Sequence, residues 1–238
     1  MTLPPLSSIQ AVILAGGLGT RLQGVLSDRP KALAPIHGRP FIDFQLAWLR
    51  SQGIERFVFC LGHRAGQIRD HLAARDDVVF SVESEPLGTG GAIRHARHLL
   101  TSDPVLVLNG DSWLEADLRT FLDHHNHAMA PASMVCCAVP EAGRFGRVDV
   151  QGGHVQAFAE KDPNAGAGLI SAGIYLLGQS ALDDLDSLQV RSIEQDYFAR
   201  LPAGTLAAHV EDGPPFIDIG TPESLRAAEA TIPIGAAP

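Results

Sequence analysis

The chain lacks several features that mark common classes of protein. It has 18 lysines and arginines against 27 aspartates and glutamates, a formal net charge of −9. A general nucleic-acid-binding protein needs a basic face, so this balance argues against such a partner. No apolar run approaches the roughly 18 residues that span a membrane, and the N-terminus lacks the basic segment and apolar stretch of a signal peptide. We therefore expect a cytoplasmic protein without membrane or nucleic-acid partners.

Cysteine is scarce as well. Cys60, Cys136 and Cys137 are odd in number, lie in apolar runs and lack the spacing of metal ligands. This pattern predicts buried, reduced thiols. In contrast, hydrophobic residues make up 45% of the 238 positions, enough to build a sizeable core in one large domain or two small ones.

Short apolar runs alternate with helical patterns over the first 140 residues. Strands are predicted at 11–14, 56–61, 78–82 and 105–108, and helices at 40–51, 65–74, 90–100 and 115–128. This alternation predicts βαβ units and an α/β fold with a Rossmann-like, mostly parallel sheet flanked by helices. After residue 140 the pattern changes, because 148–150 and 154–159 flank a glycine turn and predict an antiparallel hairpin. A further strand at 169–177 and a last helix to about residue 230 complete the prediction.

The segment Leu14–Leu22 follows the first predicted strand directly and contains three glycines. Glycine lets the backbone approach a ligand closely, so such a loop can wrap a phosphate chain. Arg21 and Lys31 add two cations beside it. The loop has neither the Gly-Lys-Ser/Thr of a P-loop nor, at Leu22, the third glycine of a dinucleotide fingerprint. It therefore predicts a phosphate loop of another type, with an ordinary strand-to-helix turn as the alternative.

Two acids are placed where a ligand is expected. Asp111 follows the apolar run Val105–Leu108, at the carboxyl edge of a central strand, where open α/β sheets bind ligands. Asp218 is embedded in the apolar run 216–220, and a buried carboxylate needs a cation or a metal. Each could singly be a helix cap or an ion-pair partner. Beside a phosphate loop, they predict a shared Mg²⁺ whose shell includes nucleotide oxygens.

The remaining polar clusters are less specific. Residues 85–92 form a second glycine-rich turn that opens a helix, and Glu160-Lys161 is an adjacent ion pair that follows the hairpin. His124, His125 and His127 predict a solvated helix face rather than a metal site. His63 follows a strand end, and we expect it to lie behind the groups that contact a ligand.

At this point the chain resembles the sugar-1-phosphate nucleotidyltransferases. The similarity is carried, in the order of that family and over residues 9–230, by Leu14–Leu22 with Pro30-Lys31, Glu85–Ala92, Asn109–Asp111, Phe158–Lys161, Ala172–Tyr175 and Asp218–Pro222. The resemblance implies a single nucleotidyltransferase domain of the GT-A-like type. Residues 9–140 would bind the nucleotide, and residues 141–230 would bind the sugar phosphate.

The resemblance also implies roles for individual residues. The catalytic residues would be Arg21, Lys31 and Asp111, and Mg²⁺ would lie between Asp111 and Asp218. Nucleotide binding would fall to Leu14, Gly16, Gly17, Gly19, Thr20, Glu85, Gly88 and Gly90. Sugar phosphate binding would fall to Gly146, Glu160, Lys161 and Gly173.

Within the family, residues 28–41, 61–64 and 86–94 are most similar to the branch that transfers guanylyl groups to heptose 1-phosphate. The favoured partners are therefore GTP and a heptose 1-phosphate. Two alternatives stay open: uridylyl or thymidylyl transfer to another sugar 1-phosphate, and a non-catalytic sugar-nucleotide-binding subunit. Homo-oligomerisation is compatible with the sequence.

Overall fold

A nine-stranded mixed sheet is the centre of the computed structural model, which describes residues 4–22, 24–26, 28–159, 161–162 and 165–233. The strands are β1 (Gln10–Ala15), β2 (Pro35–Ile36), β3 (Arg39–Pro40), β4 (Arg56–Leu61), β5 (Val78–Val82), β6 (Val105–Asn109), β7 (Ser112–Trp113), β8 (Ala132–Val139), β9 (Val148–Gln151), β10 (His154–Phe158), β11 (Gly168–Leu177), β12 (Ala207–Glu211) and β13 (Ile217–Asp218). The α-helices are α1 (Phe41–Ser51), α2 (Ala65–Leu72), α3 (Gly88–His95), α4 (Leu118–Ala128), α5 (Gln179–Ser187) and α6 (Pro222–Thr231).

The order of the strands divides the sheet into two regions. It runs β5-β4-β1-β6-β11-β8-β12-β10-β9, and β5, β4, β1 and β6 are mutually parallel. Beyond β6, β11 is antiparallel to both of its neighbours, β12 is parallel to β8, and β10 is antiparallel to β12 and β9. The predicted α/β sheet is confirmed as a mixed sheet, and the predicted hairpin is β9–β10 at its edge.

The order of the parallel strands reverses at β1, which has β4 on one side and β6 on the other. Ligands bind outside the carboxyl ends of strands at such a reversal. The four parallel strands lead there into Gly16, Gly62, Glu83 and Gly110. Four connecting loops therefore meet at one crevice.

Helices cover both faces of the sheet. One core contains Phe44 of α1, Ile68 of α2 and Phe121 of α4, and the other contains Ile93 of α3 and Leu182 of α5. The three cysteines are buried free thiols, as predicted, and burial raises the pKa of each to about 12. None of the helices in the described residues combines the length and hydropathy of a membrane-spanning segment.

The prediction of a solvated histidine face on α4 is wrong for His125. Its side chain is buried, and its Nδ1 lies 2.7 Å from the Oγ of Ser133 on β8. Burial lowers the pKa of His125 to about 4. The neighbouring His124 packs its ring against that of His209, with centroids 5.7 Å apart. This face of α4 therefore belongs to the contact between helix and sheet.

Candidate active site

A cavity of about 330 Å³ opens at the crevice outside β1, β5 and β6. Seven residues that the sequence placed in the site line it: Leu14, Gly16, Gly17, Gly19, Lys31, Gly88 and Asp111. Nine further residues complete the lining: Ala15, Leu18, Cys60, Glu83, Pro86, Thr89, Ala92, Asn109 and Gly110. The walls are largely backbone and small side chains, which suits close contact with a flat or extended ligand.

The phosphate loop is open where a ligand would lie. A Cβ built on Gly17 would meet nothing within 4 Å, and Gly19 has a φ of +60°. Thr20 and Arg21 follow in a short 3-10 turn, both exposed and outside the cavity lining. The guanidinium of Arg21 forms no ion pair with any residue that the structure describes, so it is available to an anionic ligand.

Asp111 is held at the edge of this cavity by packing around a tight corner. The corner connects β6 to β7, and the buried side chain of Gln45 on α1 donates hydrogen bonds to Asn109 O (3.0 Å) and Ser112 O (2.9 Å). The short antiparallel pair β7–β13 then places Asp218 opposite Ser112. Two acids that are 107 positions apart in the chain (218 − 111) are thereby brought to one place.

Each acid has a cation beside it. Lys31 Nζ donates to Asp111 Oδ2 at 2.7 Å, and Arg144 Nη2 lies 3.6 Å from Asp218 Oδ1. Burial and then the charge of Asp111 raise the pKa of Asp218, while Lys31, the Gly220 N–H and Arg144 oppose the rise. The two carboxylates are therefore close enough to repel each other, and a cation between them would relieve that repulsion.

The second glycine turn forms the opposite wall. Gly88 has a φ of +77°, and a Cβ built there would lie 2.5 Å from Arg191 O. The Gly90 N–H donates to the same oxygen at 2.7 Å. Glu85 is exposed and outside the cavity lining. Gly88 thus lines the cavity, whereas the contact of Gly90 is with the chain's own backbone.

The described residues among those predicted to hold the sugar phosphate, Gly146, Lys161 and Gly173, do not line this cavity. A Cβ built on Gly146, whose φ is +93°, would lie 3.9 Å from the Cγ of Lys161. Gly173 has a φ of +73° and abuts the side chain of Asn109, which lines the cavity. Lys31 and Lys161 are the only lysines of the chain. Glu160 lies outside the described residues.

The sequence did not predict Glu83 as a site residue. It directly follows β5 and lines the cavity, its Oε1 facing the backbone at Gly16 and Gly62. Its Oε2 accepts a hydrogen bond from the Leu87 N–H at 3.2 Å. Burial raises the pKa of Glu83. The signal that identified Asp111, an acid at the end of a predicted parallel strand, applies to Glu83 as well.

Comparison with known proteins gives the family. The model of the Nucleotidyl transferase family matches residues 10–233. The chain belongs to this family. The nucleotidyltransferase fold and activity class predicted from the sequence are thereby confirmed.

Individual relatives of this nucleotidyltransferase are similar over nearly their whole length. The D-glycero-alpha-D-manno-heptose 1-phosphate guanylyltransferase of Aneurinibacillus thermoaerophilus is 34% identical over 93% of this chain and 97% of its own. The Campylobacter jejuni enzyme of the same name is 33% identical over 90% and 96%. The crystal structure of HddC from Yersinia pseudotuberculosis complexed with GMP-PN superposes with a TM-score of 0.81 at 32% identity, over 93% of this chain and 98% of HddC.

The chemistry of the acids in this enzyme suits a magnesium ion that is shared with a substrate. No cluster of three or more histidine, cysteine, aspartate or glutamate side chains in the described ranges could hold a metal ion by itself. Asp111 and Asp218 supply only carboxylate oxygens. Mg²⁺ is commonly bound by one or two carboxylates, with phosphate oxygens and waters completing its octahedral shell. The pair therefore fits Mg²⁺ whose remaining ligands are waters or, when a nucleotide is bound, its phosphate oxygens.

Proposed function

We propose that this nucleotidyltransferase transfers a guanylyl group from GTP to D-glycero-α-D-manno-heptose 1-phosphate, releasing pyrophosphate. The names of the Aneurinibacillus and Campylobacter relatives support this pair of substrates, and the GMP-PN complex of HddC supports a guanine nucleotide. The observation that carries the proposal in this molecule is the carboxylate of Glu83 in the cavity wall.

Guanine is the base that complements a carboxylate. Its N1–H and exocyclic amine are adjacent donors, and an ionised carboxylate offers two acceptors that can take both. Adenine presents an acceptor at N1, and uracil or thymine presents one N–H between two carbonyl oxygens. A carboxylate therefore leaves buried polar groups unpaired with each of the other bases, at about 1–3 kcal/mol per group.

The Glu83 side chain is placed for such a contact. It lies beside Gly16 at the start of the phosphate loop and beside Leu87 at the start of α3. A base held there would leave its phosphates to extend along Gly16, Gly17 and Gly19 toward Lys31, all of which line the same cavity. Donor recognition would then combine one charged side chain with backbone contacts from two glycine turns.

The transfer itself needs no nucleophile from the protein. A phosphate oxygen of the sugar 1-phosphate attacks the α-phosphorus of GTP in line, the bond to the β-phosphate oxygen breaks, and pyrophosphate leaves. Arg21 and Lys31 would neutralise the charge that moves onto the leaving group and between the two phosphates. Lys161, with the backbone at Gly146 and Gly173, would hold the acceptor. The protein's contribution is orientation and charge neutralisation.

We assign the metal site of this reaction to Asp111 and Asp218. Mg²⁺ held there would withdraw charge from the phosphate oxygens as the new bond forms. Lys31 and Arg144 each pair with one of these two carboxylates. Retention of both acids with Arg21, Lys31 and Lys161 speaks against a non-catalytic binding subunit.

Pyrophosphate release from a panel of nucleotides and sugar 1-phosphates tests the proposal. GTP, ATP, UTP and dTTP are each offered at equal concentration with heptose, mannose and glucose 1-phosphates. We expect GTP with the heptose phosphate to give the highest kcat/KM, by about 10–100-fold over the other bases. Faster turnover with UTP or dTTP, or a preference for a hexose phosphate, would contradict the assignment.

Glu83→Gln examines the source of the base preference. One acceptor of the carboxylate becomes a donor, so kcat/KM for GTP should fall about 10–100-fold, and the ratio of GTP to UTP turnover should fall with it. Glu85→Gln is the matched comparison two positions away. Its exposed side chain lies outside the cavity lining, so we expect a smaller change in the GTP to UTP ratio. A larger change in the GTP to UTP ratio for Glu85→Gln than for Glu83→Gln would mean that Glu85 contacts the base.

A further inference from the structure

A short turn brings Arg144 to the acceptor side of the site. Residues Ala142–Arg144 form a 3-10 turn, which Phe145 and Gly146 close by donating to Ala142 O at 3.0 and 3.1 Å. The Arg144 guanidinium lies over the Phe145 ring, 4.7 Å from its centroid, and 3.6 Å from Asp218. Arg144 thus pairs with a proposed metal ligand and lies two positions before Gly146, which borders Lys161.

The position of this turn is fixed by aromatic packing. Phe145 meets Phe216 edge to face, with centroids 5.4 Å apart and ring planes at 83°. Phe216 directly precedes β13, which carries Asp218. The turn that carries Arg144 and the strand that carries Asp218 are therefore joined by this aromatic pair.

The two ion pairs of the site differ in strength. Lys31 and Asp111 are 2.7 Å apart, and the lysine side chain is 19% exposed. Arg144 and Asp218 are 3.6 Å apart, and the arginine side chain is 47% exposed. An exposed pair at the longer distance contributes little and is easily exchanged. A divalent cation can displace Arg144 from Asp218 at small cost.

The acceptor needs more positive charge than the predicted residues supply. A sugar 1-phosphate carries nearly two negative charges at neutral pH, and Lys161 is the only cation among the residues predicted to bind it. An arginine presents a planar fork that can donate two parallel hydrogen bonds to a phosphate. Arg144 is the cation that the turn places beside Gly146.

We infer that Arg144 binds the phosphate of the acceptor sugar. Until a metal binds, its guanidinium pairs instead with the Asp218 carboxylate. Binding of the divalent cation frees the guanidinium, which then turns to the acceptor phosphate. This inference rests on the proposed function for the identity of the acceptor class, but the exchange at Asp218 does not.

The exchange is tested by titrating the nucleotide-free protein with Mn²⁺ alone. Binding is measured as the loss of the electron paramagnetic resonance signal of the free ion. Arg144→Gln and Arg144→Met both remove the competing charge and keep an unbranched side chain beside Phe145. Each should bind Mn²⁺ about two- to fivefold more tightly than the wild type, which corresponds to the loss of an exposed ion pair. Arg144→Lys should stay near the wild type. Arg147→Gln, at another exposed arginine three positions on, is the matched control and should leave Mn²⁺ affinity unchanged.

The acceptor contact is tested by kinetics in saturating Mg²⁺ and GTP. Both neutral variants should raise the KM for the sugar 1-phosphate about tenfold or more, as expected for a lost charge-assisted hydrogen bond, with the KM for GTP little changed. Arg144→Lys should recover part of the loss. Unchanged Mn²⁺ affinity and unchanged acceptor KM in both neutral variants would overturn the inference. A wild type that transfers no nucleotide to any sugar phosphate would instead overturn the proposed function, with the Mn²⁺ measurement still deciding the exchange at Asp218.

Discussion

The donor and acceptor sides of this site are built in different ways. The donor side consists of loops that directly follow β1, β5 and β6, and most of its lining is glycine backbone and small side chains. The proposed acceptor side would depend on charged side chains, with Lys161 and Arg144 on two connecting segments and Asp218 on the short strand β13. One side is shaped by backbone and the other by ion pairs.

This difference follows from the direction of the strands. Neighbouring parallel strands all present their carboxyl ends to one edge, so consecutive loops meet there without further design. Neighbouring antiparallel strands present their carboxyl ends to opposite edges of the sheet. Side chains from that region therefore reach the site only through longer connections, and each is held there by its own contacts. We therefore expect the donor cavity to change little when a ligand binds, and the proposed rearrangement to be confined to the acceptor side.

The largest effect should come from the two acids that join the regions. Asp111→Asn and Asp218→Asn should each lower kcat at least ~100-fold, as expected when a group that stabilises transition-state charge is lost. Steady-state pyrophosphate release in Mg²⁺ measures this. Asp149→Asn, an exposed acid on the edge strand β9, is the control and should retain wild-type turnover. Near-normal turnover of either active-site variant would remove that acid from the metal site.

The Asp218→Asn substitution should also change how the stability of the protein depends on pH. The folded protein raises the pKa of Asp218, so protonation favours the fold, and stability is lost as pH rises through the raised pKa. An amide copies the neutral form. Asp218→Asn should therefore be at least as stable as the wild type at pH 7, which a comparison of the two Tm values at that pH measures. The difference should vanish toward acid pH.

Substitution of Arg21, on the donor side, should lower kcat less than substitution of either acid. Arg21→Ala should lower kcat about 10–100-fold, the range of a lost charge-assisted hydrogen bond, and should weaken GTP binding less. Stopped-flow turnover and a separate measurement of nucleotide affinity distinguish the two quantities. Arg21→Lys should restore activity only in part, because the fork geometry is lost. A change confined to KM would mean that Arg21 contacts the ground state and the transition state equally.

A further prediction concerns His125, where α4 packs on β8 in the antiparallel region. The unfolded chain protonates this side chain near its ordinary pKa of 6.5, whereas the folded protein does so only near about 4. The free energy of unfolding should therefore fall as pH drops through this interval. Between pH 7 and pH 5, the wild type should lose about 2 kcal/mol more than His125→Gln. Urea unfolding measures both, with His127→Gln, at the exposed histidine on the same helix, as the control. If the free energy of unfolding varied with pH in the same way for wild type and His125→Gln, residues other than His125 would account for the loss of stability in acid.

The parallel region could be predicted from the sequence more fully than the rest. The strand ending before Asp111 is a run of four apolar residues, and its position next to a phosphate loop follows from local pattern alone. The strands β8 and β12 were not predicted, because their pairing depends on residues far away in the chain. The burial of His125 was hidden for the same reason, since its partner Ser133 lies in β8.

The site was predictable to the extent that it consists of backbone. The glycines at 16, 17, 19 and 88 predict close contact between the backbone and a ligand, and all four line the cavity. Charged side chains on loops give a weaker signal, because an acid or an arginine there has the same appearance whether it binds a ligand or water. Glu83 follows a predicted strand just as Asp111 does, but its contact with the phosphate loop, like that of Arg144 with Asp218, became visible only in the fold.

The confinement of lysine to the site has a practical consequence for handling the protein. With Lys31 and Lys161 as the only lysines, amine-directed dyes, crosslinkers and coupling resins can attach only there or at the N-terminal amine. Lys161 is exposed and Lys31 is engaged with Asp111, so the former should react first. Surface immobilisation through amines would block the acceptor side, and assays should use the C-terminus or a tag for attachment.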